Sequence, residues 1–128
     1  MSDYQRYPID KSVRREKQLG QARPADTNAV SIYSPSSNVT AIIKHVVICN
    51  STVLAATYRL FLDVDGTTYS EVTAHSFDVS LAANTSSFLE VYWIIHNQAG
   101  NIAVRSGTAN ALTFSVYGEE ITRTADNL

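Results

Sequence analysis

The chain has a single cysteine, Cys49, so no disulfide can form within it. Cys49 stands in an apolar run and reads as a buried thiol rather than a nucleophile, because free cysteine packs as a small hydrophobe. No apolar run approaches the roughly 18 residues of a membrane span. The first residues are polar and hold no hydrophobic signal core. The expectation is a chain made in the cytoplasm, with no signal-peptide route out and no membrane partner. The sequons at Asn38, Asn50 and Asn84 are then coincidences of Asn- and Thr-rich turns. Charged residues make up only 17 % and the net charge is −2. Nucleic-acid binders present a basic surface, so no nucleic-acid partner is expected.

Motifs that carry chemistry are also missing. His45, His75 and His96 are far apart and have no Cys or His at ligand spacing, so no metal is expected. His45 reads as an ordinary strand residue. Asp63-Val64-Asp65-Gly66 opens like a calcium loop, but no closing Glu follows at the required spacing, and an Asp-Gly turn explains it. Asp63, Asp65, Glu71, Asp78 and Glu90 offer carboxylate pairs of the kind that hydrolyse glycosides, but nothing selects one pair. The five glycines are scattered at turns and cradle no phosphate. No Gly-x-Ser-x-Gly elbow is present. The expectation is no catalytic residue, no cofactor and no enzyme.

What is present is β-structure. Val39–Asn50 is dense in branched residues, lacks Gly and Pro, and ends in the turn-prone Asn50-Ser51. Branched side chains are stiff at χ1 and suit a pleated surface. Its nearly continuous apolar character fits a strand covered by a second layer. Alternating or apolar runs follow at residues 29–33, 56–62, 76–81, 87–95, 102–104 and 111–121, with a further short one at 67–70. Turn clusters separate them. Roughly seven or eight short strands at this spacing predict an all-β antiparallel sandwich, jelly-roll or immunoglobulin-like, over residues 25–122.

Residues 1–24 differ in texture. They carry six basic groups, Arg6, Lys11, Arg14, Arg15, Lys17 and Arg23, against three acidic ones. Residues 25–128 carry four basic and nine acidic groups. A basic arm on an acidic body suggests docking on an acidic neighbour through those six cations. Asp10 is placed to cap a short helix through Leu19, stopped by Gly20, so the arm reads as extended or partly helical. A segment of this composition is disordered alone, which favours a neighbouring subunit as its holder over its own domain. Residues 123–128 form a polar tail.

The aromatics are the remaining candidates for a contact surface. Tyr92 and Trp93 point to opposite faces of one strand, so at most one belongs to the core. With Tyr58 and Tyr69 they suit either a subunit interface, which is favoured, or a stacking platform for host glycans.

The body resembles the small β-sandwich virion proteins of tailed bacteriophages. The residues that carry the likeness are the stretches 19–27, 31–44, 48–51, 55–63, 78–84, 104–114 and 118–121, together covering roughly residues 19–121. They are turns and strand faces and bring no functional residue with them. The resemblance implies a non-enzymatic building block of the particle, assembled in the host cytoplasm. It would sit at the tail, at the baseplate or fibre attachment, or on the capsid as decoration. Its partners would be copies of itself, with a trimer favoured, and other virion proteins. A carbohydrate-binding, host-recognition module is the alternative.

Overall fold

A computed structural model describes residues 12–123, and no helix occurs among them. Eight strands form the domain: β1 Val13–Ala22, β2 Val30–Tyr33, β3 Val39–Asn50, β4 Ala56–Asp63, β5 Ala74–Leu81, β6 Thr85–Ile95, β7 Asn101–Ser106 and β8 Leu112–Thr122. They make two four-stranded antiparallel sheets, ordered β1-β8-β3-β6 and β2-β7-β4-β5. Among the described strands only β4 and β5 are both consecutive in sequence and hydrogen-bonded to each other. This is the strand order of a jelly roll, a double Greek key, and not that of an immunoglobulin domain.

The expected central strand is central. β3 lies between β8 and β6. Its Ala41, Ile43, Val46 and Ile48 are fully buried, in one cluster with Tyr58, Leu60, Ile102, Val104, Phe114 and Val116. The inward set skips from Ile43 to Val46 because the register shifts between Ile43 and His45 against both neighbours. β8 passes so close beside this shift that a Cβ on Gly118 would overlap the Ile42 carbonyl. Glycine there permits a close backbone approach.

Two expectations are corrected. The helix through Leu19 is absent, because residues 13–22 are strand β1, hydrogen-bonded along β8 from Val13↔Thr122 to Ala22↔Phe114. The first strand of the sandwich therefore lies within the segment read as an arm. Its residues are exposed through Gln18, so it offers no apolar alternation to read. Asp10 lies outside the described residues, as do residues 124–128 of the expected tail. The short run at 67–70 is a loop. The Asp63 carboxylate organises it by accepting the Asp65 N–H at 3.1 Å and the Thr68 N–H at 2.8 Å. These bonds hold the Asp63 carboxyl below its ordinary range.

The turns gather at the two ends of the sandwich. At one end, Asn84 N–H bonds to Thr52 O and Asn110 N–H to Pro24 O. Asn84 and Asn110 take the left-handed conformation, as does Asn38 at the other end, with φ of 54°, 57° and 63°. Asparagine tolerates that region better than most residues. Each end also holds a buried asparagine. Asn50 is fully buried and Asn101 is 2 % exposed. Asn101 donates to Gly66 O at 2.6 Å and accepts the Tyr69 hydroxyl at 3.0 Å.

Candidate functional site

The basic residues of β1 face acids of their own chain. Arg14 pairs with Glu119 at 3.1 Å and Lys17 with Glu120 at 3.2 Å. Glu16 of the same strand accepts from Lys44 at 3.0 Å, and this bond raises the lysine's pKa. Arg23 donates to the carbonyl of Asn110 through Nε at 3.0 Å and Nη2 at 2.6 Å. Arg15 adds a positive field beside Glu120. The acidic surface that β1 meets is thus β8. Arg6 and Lys11 lie outside the described residues.

Glu120 is the centre of this seam. Tyr33 reaches it from the second sheet, donating its hydroxyl at 2.6 Å. That bond, then Lys17, holds the Glu120 carboxyl below its ordinary range. Burial, then Glu120, pushes the Tyr33 phenol well above its ordinary value. The bond ties β2 of the second sheet to β8 of the first.

Tyr33→Phe removes a bond to a partly covered carboxylate, worth about 1.5 kcal/mol. The cost should be fully present from about pH 5 to about pH 10, between the ordinary glutamate and tyrosine ranges. A depressed carboxyl contributes stability above its unfolded pKa and loses it as pH falls through the folded one. A raised phenol loses its contribution as pH rises past its unfolded value. The gap in melting temperature between wild type and variant should therefore narrow at both extremes. A constant gap from pH 3 to pH 8 would contradict the carboxylate bond.

The four aromatics singled out do not converge. Tyr58 is 4 % exposed and packs edge-on against Phe114 at 6.4 Å. Sharing a strand face with Leu60 placed it in the core, out of reach of any ligand. Tyr69 is half-buried over Phe61, with ring centroids 5.9 Å apart, and anchors the loop before β5. Trp93 turns toward the core and meets His75 edge-on at 4.7 Å. Tyr92 is 66 % exposed on the opposite face. Of the pair, Trp93 is the inward residue.

Around Tyr92 lies a patch that the reading of single aromatics missed. Phe88, Glu90, Tyr92 and Ile94 alternate along the outer face of β6, and the three apolar members are exposed. His45 flanks the row, its ring 5.1 Å from Phe88 and its Nε2 3.8 Å from Glu90. The signal was in the sequence as the i, i+2 spacing of the four residues. On the second sheet, Arg59 grips Asp78 with two bonds at 2.7 and 3.0 Å and covers the Phe77 ring at 3.8 Å. The pairing lowers the Asp78 pKa.

The remaining candidate carboxylates are separated by their surroundings. Asp63 is engaged by its own loop, Asp78 by Arg59, and Asp65 accepts from Asn97 at 3.1 Å. Glu90 stands on the first sheet, away from all of these. Among the described residues no three or more of His, Cys, Asp and Glu converge as a metal ion would require.

No protein-family model and no curated protein matches this chain. Among solved structures it is similar to a chain of the infectious bursal disease virus T13 particle. The TM-score is 0.54 at 8 % identity, covering 92 % of this chain and 32 % of that one. This chain thus spans about a third of the length of that protein. It is also similar to the Tobacco streak virus coat protein, with TM-score 0.44, 14 % identity and coverage of 91 % and 88 %. A Bacillus endospore appendage protein has TM-score 0.43 at 14 % identity, with coverage of 91 % and 88 %. The first likeness agrees with the two-sheet fold, and at such identity it speaks to fold alone.

Proposed function

We propose that this chain is a non-enzymatic structural subunit of a virus particle, assembling with copies of itself and with other virion proteins. The observation that carries the reading is the strand order β1-β8-β3-β6 over β2-β7-β4-β5. The jelly roll is a recurrent capsid scaffold, and the structural likeness at TM-score 0.54 is to a chain of a viral particle. The resemblance to tailed-phage virion proteins narrows the place to the tail, its baseplate–fibre region, or the capsid surface. It also favours a threefold ring, assembled in the host cytoplasm. The docking role of the basic segment falls to Arg6, Lys11 and Arg15, since Arg14 and Lys17 are paired with β8 and Arg23 donates to Asn110 O.

The apolar row on β6 supports self-association, because an exposed patch of this kind marks a contact surface. Jelly rolls also occur in lectins, and exposed Tyr92 keeps sugar recognition as the second reading. The test is to purify particles from producing cells on a density gradient and identify their proteins by mass spectrometry. The chain should co-migrate with the particles in many copies. Particles that are complete without it would overturn the proposal. Glycan binding that disappears in Tyr92→Ala would replace it with the recognition reading.

A further inference from the structure

A free sheet edge is a template for pairing with another chain, and proteins blunt it with short strands, cations, bulges or proline. Three of the four edges here are blunted more strongly than the fourth. β2 has only four residues. β1 carries Arg14, Arg15 and Lys17, with a register shift between Gln18 and Gly20. β5 loses register opposite Tyr58 and Leu60, where Asp78 takes φ 53°.

β6 has only one of these devices, a register shift against β3 across Val91 and Tyr92, between Trp93 and Glu90, and its side chains still alternate in burial from Phe88 to Ile94. It runs for 11 residues without Pro, Gly, Lys or Arg, and Glu90 is its sole charge. It is hydrogen-bonded to β3 alone among the described strands. Phe88, Tyr92 and Ile94 are 66 %, 66 % and 47 % exposed on its outer face, while Leu89, Val91 and Trp93 line its inner one. A strand apolar on both faces is the pattern of one with both faces covered. This strand has one neighbour and one covered face.

We propose that the missing neighbour is β6 of a second copy, paired antiparallel about a twofold axis at Val91. The pairing joins two four-stranded sheets into one of eight strands. It deepens the assembly reading above, on which it rests only for the place of the dimer in a particle. In this register Val91 faces its own copy, Leu89 faces Trp93, Phe88 faces Ile94, and Glu90 faces Tyr92. Apolar side chains meet on both faces, and the one carboxylate meets a phenol. Centring on Glu90 instead would set two carboxylates directly opposite, which destabilises a strand pair. Centring on Tyr92 would set Glu90 against Ile94.

The other edge of the same sheet is β1. Its Arg14 and Lys17 are already paired at 3.1 and 3.2 Å, and β6 presents them with a single carboxylate. An apolar edge is complementary to an apolar edge, and among the described strands β6 is the apolar one.

Directly opposed Cβ atoms in an antiparallel pair lie about 4.5–5.5 Å apart, near the span of about 3.5–4.5 Å that a disulfide bridges. In a Cys49→Ser background, Val91→Cys should shift under mild oxidation to twice the chain's mass. Val53→Cys, at an exposed loop tip (82 %), should remain single. Phe88→Cys and Ile94→Cys should each remain single alone and cross-link when mixed. Both sites are exposed, so this pair carries the test if Val91→Cys does not fold. Cross-linking no greater than for Val53→Cys, in Val91→Cys and in the mixture, would overturn the pairing. An oligomeric mass in that case would leave the particle reading intact with a different contact. Cross-linking of a chain that is absent from particles would keep the pairing and remove the particle reading.

Discussion

Deletion of residues 1–24 is expected to abolish the cooperative unfolding transition of the sandwich. β1 supplies a full edge of the first sheet, in register with β8 from Val13↔Thr122 to Ala22↔Phe114. Its Leu19 packs on the core that contains Phe114 and Val116. It also contributes two cations to Glu119 and Glu120. These exposed pairs add little on their own, because surface ion pairs are typically worth under about 1 kcal/mol. The larger loss is the backbone pairing and the cover over the core. A domain is stable by only about 5–15 kcal/mol, and one strand of eight is a large part of the structure that sustains it. The bare β8 edge should also make the truncated chain aggregate. A truncated chain that melts at the temperature of the intact one would show that β1 is a detachable arm.

Asn50→Ala should cost about 3 kcal/mol, since a buried group stripped of its partner costs about 1–3 kcal/mol and several are affected here. The Asn50 amide nitrogen donates toward Leu54 O, Leu81 O and Ala82 O at 3.0, 3.1 and 3.2 Å. Its Oδ1 accepts the Thr52 N–H at 3.0 Å and the Thr52 hydroxyl at 2.7 Å. One fully buried side chain therefore ties the β3–β4 loop to the turn between β5 and β6, across the two sheets. The urea midpoint should fall with little change in slope. Asn50→Asp keeps the volume but turns a carboxylate toward three carbonyl oxygens. It should be worse than Asn50→Ala at neutral pH and recover part of the loss on acidification. Recovery follows because burial and those carbonyls raise the pKa of the introduced acid. A variant that unfolds at the wild-type midpoint would remove Asn50 as a clasp.

The sequence made the all-β class legible because apolar spacing is a local property. Val39–Asn50 announced itself by branched side chains, and Leu112, Phe114 and Val116 by alternation; all three of the latter are buried. β1 was illegible for the opposite reason. An edge strand whose residues are exposed through Gln18 leaves no apolar period, so charge was the signal left and it suggested an arm. The strand order joins segments far apart in sequence, as Val13 and Thr122 are, and no local pattern encodes it. Parity showed that Tyr92 and Trp93 face apart. Which of them points inward depends on the pairing of β6 with β3. The patch on β6 needed the knowledge that β6 is an edge, which only the sheet order supplies.

Mass in solution shows whether this jelly roll assembles with its own copies through an exposed strand. Sedimentation equilibrium would compare the intact chain with a Phe88→Glu, Tyr92→Glu double variant. Both side chains are 66 % exposed, so the variant should keep the wild-type melting temperature while carrying charge on the contact. A concentration-dependent oligomer is expected for the intact chain and a monomer for the variant. An intact chain that stays monomeric at every concentration would contradict this assembly.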